Sequence, residues 1–306
     1  MILLWGLFQD APLARVHAEL QRRGAPVALV DQRAVLQSGI RVEVDDRVRG
    51  AITVGDVEVD LADVTAAYVR PYDAWRIGAV ARAGRDSDEC RHACEFDDSL
   101  WQWCELTDAC VVNRPSRMAG NSSKPRQSAA IRAHGFRVPD TLITTDADAA
   151  RAFAAGHERV IYKSVSGIRS IVSQLRPDDD RLDDLAWCPT QFQEHVSGLD
   201  YRVHVVGGDV FCSRIESSAD DYRYAARQGA ELSLEPACLP DDLPDRCREL
   251  AAGLGLRLAG IDLRRTPDGS WYCFEVNPSP AFTFYDRHEQ GIAEAVARLL
   301  HEGEVA

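Results

Sequence analysis

Long apolar runs are missing from this sequence: nothing in its 306 residues approaches the roughly 18 consecutive apolar residues of a membrane-spanning helix. The opening MILLWGLFQDAP also lacks the basic n-region and small-residue cleavage site of a secretory signal. A cytoplasmic protein with no membrane contact is therefore expected. Basic charge is in deficit, with 35 Lys and Arg against 48 Asp and Glu and a formal net charge of -13. This disfavours non-specific binding to nucleic acid or to anionic lipid, so any polyanion must be held locally, by particular basic residues or by a metal. Cys-x-x-Cys pairs are absent, and the nine cysteines are scattered and odd in number, which argues against a zinc ribbon or a disulfide framework. Cys90, His92 and Cys94 are close in sequence, but on a helix only residues 90 and 94 share a face, so a metal cluster is not expected there. The histidines follow no Ser-His-Asp spacing, and no repeat of fixed period is visible.

With 45% apolar and 27% charged residues, the chain is long enough for two or three compact units with real cores. The apolar run from Ile2 to Phe8, the helical spacing of Leu13, Val16 and Leu20, and the second run from Val27 to Val30 predict strand, helix, strand. Alternation across residues 52–61 around Gly55-Asp56 predicts a hairpin, and Ala66 to Val69 a short strand ending at Arg70. An amphipathic helix is predicted from Ser87 to Thr107. The Ser-, Gly- and Asn-rich stretch after Asn113-Arg-Pro is the main domain boundary. Beyond it come a helix from Pro125 to His134, a strand from Val138, a helix capped by Thr145-Asp146, and a strand from Arg159 to Lys163. The acidic run Asp178 to Asp184 is expected as a solvated turn or hairpin tip. Two strands follow from Gln191, then a Gly207-Gly208-Asp209 hairpin, a helix from Pro244 to Gly255, and strands 258–263 and 271–276 joined by Pro267-Asp-Gly.

Asp262, Glu275 and Asn277 carry the most weight. The last two strands should pair antiparallel and bring Asp262 opposite the 275 region, while Glu275 and Asn277, two apart, share a face. Three oxygen donors at one point suit Mg²⁺ completed by substrate phosphates. Pro278 and Pro280 fix the chain's exit beyond Asn277, and Ser279 between them is expected on the substrate side. Lys163 ends a strand and is followed by Ser164-Val-Ser166-Gly167, whose N–H groups and hydroxyls could cover phosphates, although the loop holds a single glycine. Arg202, Arg214 and Arg223 alternate with Asp200, Glu216 and Asp221, a pattern that fits ion pairs or function equally. Arg70, in Tyr-Val-Arg-Pro-Tyr, faces the acceptor or forms a structural salt bridge.

In order, these features resemble the ATP-grasp superfamily of carboxylate ligases, and within it the branch of ribosomal-protein glutamate ligases and graspetide synthetases. The stretches that carry the likeness are Asn121-Ser-Ser-Lys124 with Gly135 to Thr144, Gln193-Glu-His-Val with Asp200-Tyr-Arg202 and 217–223, and Gly260-Ile-Asp262 with Glu275-Val-Asn277-Pro-Ser-Pro. The resemblance implies an α/β N-terminal domain over residues 1–115, then a two-lobed α+β ATP-grasp fold with a central lobe over 116–190 and a C-terminal lobe over 191–306 that carries the metal site. It further implies that Lys124 and Lys163 contact the nucleotide, with Ser166 and Gly167 over the phosphates. Gln193, Glu194, His195 and Val196 would line the adenine pocket largely through backbone groups, and Asp200 would hold the ribose. Asp262, Glu275 and Asn277 would bind Mg²⁺, two ions in all, with Mn²⁺ as a substitute. Arg202 and Arg223 would steady the transferred phosphate and the acyl phosphate. The implied activity is ATP-dependent joining of a carboxylate to an amine or hydroxyl on a peptide or amino-acid substrate, by an enzyme whose relatives are commonly homodimers. An amino-acid or dipeptide ligase and a nucleotide-binding module without ligase activity are the alternatives.

Overall fold

In the computed structural model, residues 1–303 are described except for 166–171, 177–178, 218–231, 241 and 287–289. Ser166, Gly167 and Arg223 fall outside the described residues. Strand β1 (Ile2–Gly6) is buried at every position, as suits a parallel strand covered on both faces. Helix α1 (Ala11–Arg22) starts at Asp10, whose carboxylate accepts the Leu13 N–H at 3.3 Å, and leads to β2 (Val27–Asp31). Next, β3 (Ser38–Val44), β4 (Val48–Val54) and β5 (Val57–Asp60) form an antiparallel sheet of their own. The turn between β4 and β5 falls at Gly55, where φ is +58° and glycine is favoured, in line with the predicted hairpin. β3 is an additional strand, marked in the sequence by the alternation of Ile40, Val42 and Val44 with Arg41 and Glu43. β6 (Ala66–Arg70), α2 (Gly78–Ala83), α3 (Asp88–Leu106) and β7 (Cys110–Val112) complete a parallel sheet of order β2-β1-β6-β7.

One face of this sheet packs Trp5 against Leu100 and Trp103 of α3. The other face shares a core with Val206, Leu258, Phe282 and Val296 from the far end of the chain. Each large side chain fully buried there contributes roughly 1.5–3 kcal/mol, which fixes the N-terminal sheet against the segment holding the candidate site.

The short α4 (Pro115–Met118) precedes α5 (Lys124–Ala133). β8 (Thr141–Thr144), α6 (Ala147–Ala155), β9 (Val160–Ser164), β10 (Ser173–Gln174) and β11 (Thr190–Glu194) then build an antiparallel sheet of order β10-β9-β11-β8. The expectation of a solvated turn or hairpin tip at 178–184 is corrected from Asp180 on, Asp178 lying outside the described residues: Asp180–Trp187 is a 3₁₀ segment. Leu182 and Leu185, three apart and so on one side of a three-residue turn, are buried with Val160 and Phe192.

The last five strands are β12 (Leu199–Val206), β13 (Asp209–Ser217), β14 (Leu232–Pro236), β15 (Leu258–Arg265) and β16 (Trp271–Asn277), with α7 (Leu243–Gly253) before β15 and α8 (Ile292–Glu302) at the end. They form one sheet of order β14-β13-β12-β15-β16. β11 and β12 adjoin in sequence but lie in different sheets, so residues 195–198 carry the chain from one lobe to the other. Gly198 is required there, because a Cβ would lie 2.2 Å from the Arg265 carbonyl oxygen. The architecture is an α/β unit followed by two α+β lobes, as the resemblance implies. Among the described residues, no helix is long and apolar enough to cross a membrane.

Candidate active site

Cross-strand register assembles the predicted metal ligands. Asp262 of β15 stands directly opposite Arg202 of β12 on one side and Glu275 of β16 on the other. Gly260 in the neighbouring row stands between His204 and Asn277. Residues opposite one another in a ladder project to the same face, so Arg202, Asp262, Glu275 and Asn277 share one side. The intervening Val203, Val205, Ile261 and Val276 turn to the opposite side, into a core that includes Ile131 and Leu250. A register shift between Asp262 and Leu263 leaves Phe274 as an extra residue beside Glu275. Bulges of this kind re-aim side chains at functional edges.

Arg202 donates from Nη1 to Asp262 Oδ1 at 2.6 Å, with side-chain exposures of 7% and 19%. Its guanidinium also lies over the Tyr285 ring, 5.7 Å from the centroid, and its Nε donates to His204 Nε2 at 3.5 Å. Burial, followed by the charge of Arg202, pushes the His204 pKa well below its ordinary value, so the ring is neutral and accepts. Gly260 makes room for this arginine: a Cβ there would meet Arg202 Nη2 at 2.1 Å.

Beyond Asn277 the exit loop is tied to the N-terminal sheet. Asn277 Oδ1 accepts the Ser279 N–H at 2.8 Å, and a carbonyl oxygen keeps a second lone pair. Arg70 donates from Nη1 to Ser279 Oγ at 3.0 Å and to the Pro280 carbonyl at 3.2 Å, and from Nε to Asp10 Oδ2 at 2.6 Å. The two residues expected on the substrate side thus touch each other, and Arg70 is also the structural salt bridge considered as its other reading.

Of the expected nucleotide contacts, Lys163, Gln193 and Glu194 stand on the other lobe, His195 and Val196 on the crossing between lobes, Asp200 on β12, and Lys124 on α5, which packs against β16. Lys163 Nζ donates to Gln193 Oε1 at 3.3 Å, and Gln193 Nε2 donates to Thr141 Oγ1 at 3.2 Å. Lys124 is the first residue of α5. Glu194 turns its side chain away from the lysine: its Oε1 accepts the Asp140 N–H at 3.1 Å, close to His157. His195 continues the β9 pairing through its N–H to the Arg159 carbonyl, 2.9 Å away. Val196 is buried. Arg264 grips both oxygens of Asp200, at 2.7 and 2.8 Å, and donates to the Val196 carbonyl at 2.7 Å, so Asp200 would meet a ribose as the far half of an ion pair.

Four residues of this neighbourhood escaped the sequence reading. His204 and Tyr285 flank Arg202, as described. Asn113 makes four hydrogen bonds from a fully buried position: Nδ2 donates to the Leu258 and Pro278 carbonyls at 2.7 and 2.6 Å, and Oδ1 accepts the N–H groups of Arg257 and Leu258 at 2.8 and 3.2 Å. Gln127 of α5 accepts the Val276 N–H at 3.0 Å and donates to the Val276 carbonyl at 2.8 Å. Asn113 was legible only as the residue before Arg-Pro at a boundary, and Gln127 only as a polar position in a helix.

The donor set fits Mg²⁺: two carboxylates in register and one amide oxygen two residues on are hard oxygen ligands, and they leave positions for phosphate. A lysine-bearing antiparallel sheet, joined through a single crossing to a second sheet edged with acids, defines the ATP-grasp class of fold. A RimK-like ATP-grasp domain matches residues 122–300, more than half of the chain, which belongs to that family. Beta-citrylglutamate synthase B of Danio rerio is 30% identical over 209 residues, covering 63% of this chain and 50% of the relative. N-acetylaspartylglutamate synthase A of Homo sapiens is 29% identical over 219 residues, covering 63% and 52%. The chain spans about half the length of these curated relatives. Among solved structures, a Chryseobacterium gregarium RiPP-associated ATP-grasp ligase, in complex with ADP and a leader and core peptide, superposes with a TM-score of 0.85 at 23% identity, over 99% of this chain and 97% of that one. The ATP-grasp ligase PsnB, complexed with a phosphomimetic variant of a minimal precursor, Mg and ADP, gives 0.81 at 26% identity, over 98% and 97%.

Proposed function

We propose that this chain is an ATP- and Mg²⁺-dependent ligase that activates a carboxylate and joins it to an amine or hydroxyl, with a peptide as the substrate. The observation that carries the reading is the row Arg202–Asp262–Glu275, with Asn277 beside it, at the edge of the C-terminal sheet of a RimK-like ATP-grasp domain. Mg²⁺, two ions with Mn²⁺ as a substitute, supplies neutralisation of the β- and γ-phosphates when bound. Asp262, Glu275 and Asn277 hold it, and Lys163 from the other lobe and Lys124 at the start of α5 bind the nucleotide. A substrate carboxylate then attacks the γ-phosphorus, ADP leaves, and the amine or hydroxyl displaces phosphate from the acyl phosphate to give amide or ester. Arg202 is placed to steady charge on the moving phosphoryl group, so positioning and electrostatics supply the rate and no protein nucleophile is needed.

The likeness over nearly the whole chain to PsnB, solved with its precursor, supports a peptide substrate. A small-molecule ligase is the second reading, favoured by the two curated synthases. The test is ADP release measured across peptides, amino acids and amines with wild type and Glu275→Ala. Release driven by a peptide and reduced at least a hundredfold in the variant is expected. Undiminished release by Glu275→Ala would sink the metal assignment, and release driven only by free amino acids would favour the second reading.

A further inference from the structure

We propose that Gln127 and Asn113 are positioning residues for the metal ligands and set the affinity of the site for its divalent cation; the inference rests on the reading of Asp262, Glu275 and Asn277 as those ligands. β16 is the last strand of its sheet, so every second residue turns its N–H and C=O away from β15. Val276, between Glu275 and Asn277, is one of these, and Gln127 satisfies both of its groups, accepting at 3.0 Å and donating at 2.8 Å. A single carboxamide thus does for one residue what a further strand would do. Asn113 acts one step beyond, holding the Pro278 carbonyl at 2.6 Å next to Asn277 and, on β15, both backbone groups of Leu258. Both amides are buried, at 7% and 2% exposure, and Asn113 has all four of its bonds.

The ladder needs this support at that place. The register shift between Asp262 and Leu263 interrupts the pairing of β15 with β16 beside Glu275, so the strand pair alone holds the two carboxylates less firmly. Mg²⁺ demands near-octahedral oxygens at about 2.0–2.1 Å, and small displacements of its ligands weaken it. Gln127 also lies three residues from Lys124 on α5, on the same face of the helix. The helix that presents the lysine to the nucleotide is therefore the one that clamps the metal strand.

The test is Mn²⁺ binding followed by electron paramagnetic resonance in the presence of ADP, on the full chain carrying Gln127→Leu, Asn113→Asp, Glu275→Ala or Leu100→Ala. Leu100 is buried in the N-terminal core and touches neither strand, so its variant matches the loss of stability without the loss of positioning. Expected are about tenfold weaker Mn²⁺ binding for Gln127→Leu and Asn113→Asp, a raised half-saturating Mg²⁺ concentration with kcat recovered at saturation, and wild-type affinity for Leu100→Ala. Where Gln127→Leu does not fold, Gln127→Glu keeps the acceptor, loses the donor and carries the same expectation. Wild-type Mn²⁺ affinity in the Gln127 and Asn113 variants, with binding lost in Glu275→Ala, overturns the positioning role alone. Intact Mn²⁺ binding by Glu275→Ala overturns the metal reading on which it rests.

Discussion

Replacing Arg202 by methionine should destabilise the metal-free protein and, at the same time, tighten its hold on Mg²⁺. The cross-strand row sets one positive group beside two negative ones, and the substitution removes the charge that Arg202 brings to Asp262 and Glu275. The Arg202–Asp262 pair is 2.6 Å apart with side chains 7% and 19% exposed, between surface and interior. At an effective dielectric of about 20, unit charges about 4 Å apart interact by ~4 kcal/mol, and stripping one partner from a buried pair costs about 3–5 kcal/mol. Methionine retains much of the packing on Tyr285, and the residual exposure of Asp262 lets water relieve part of the cost. The expected loss is therefore roughly 2–3 kcal/mol, read in a chain of this size as a melting temperature lower by about 3–5 °C. On the proposed metal reading Mg²⁺ would bring two positive charges to the same carboxylates, so the deficit should shrink when it is added, and calorimetric titration without nucleotide should give a several-fold lower Kd for Mg²⁺ than in wild type. On the proposed role of Arg202 at the transferred phosphoryl group, ADP release should fall about a hundredfold or more. A variant that melts like wild type in both EDTA and Mg²⁺ would refute the argument that Arg202 balances the acidic row.

Burial raises the Asp97 carboxyl to about 7, with Gln32 opposing the shift through its hydrogen bond at 3.1 Å. The folded state then keeps a proton that the unfolded chain has lost, so stability falls as pH rises from about 4 to about 7 by at most about 4 kcal/mol; urea unfolding of Asp97→Asn should flatten that slope, and an unchanged slope would count against the assignment. Gly260→Ala should place a methyl group 2.1 Å from Arg202 Nη2 and 2.8 Å from the Pro280 Cβ, costing about 1–3 kcal/mol through overpacking. It should also suppress ADP release by displacing Arg202, and full turnover in that variant would show that the arginine's seat is not needed.

What could be read from the sequence and what could not divide along a physical line. Strand patterns repeat every two residues and helix patterns every three or four, so the β1–α1–β2 start, α3 and the β15–β16 hairpin were all legible from local composition. The same two-residue period placed Glu275 and Asn277 on one face, and the Pro-Asp-Gly turn set Asp262 against them. Arg202 was visible as a residue but not as the partner of Asp262, because the β12–β15 pairing joins segments 60 residues apart and no local rule specifies it. Leu182 and Leu185 were hidden by the acids around them, although their spacing of three held the signal for a 3₁₀ turn. Asn113 and Gln127 lie at the limit of what such reading can reach. A buried amide is tolerated because its donors and acceptors are matched to particular backbone groups, here 145 to 165 residues away, and that match exists only once the strands are in place. The candidate ligands follow from local pattern, whereas the buried amides bonded to the backbone beside them follow from the assembled fold.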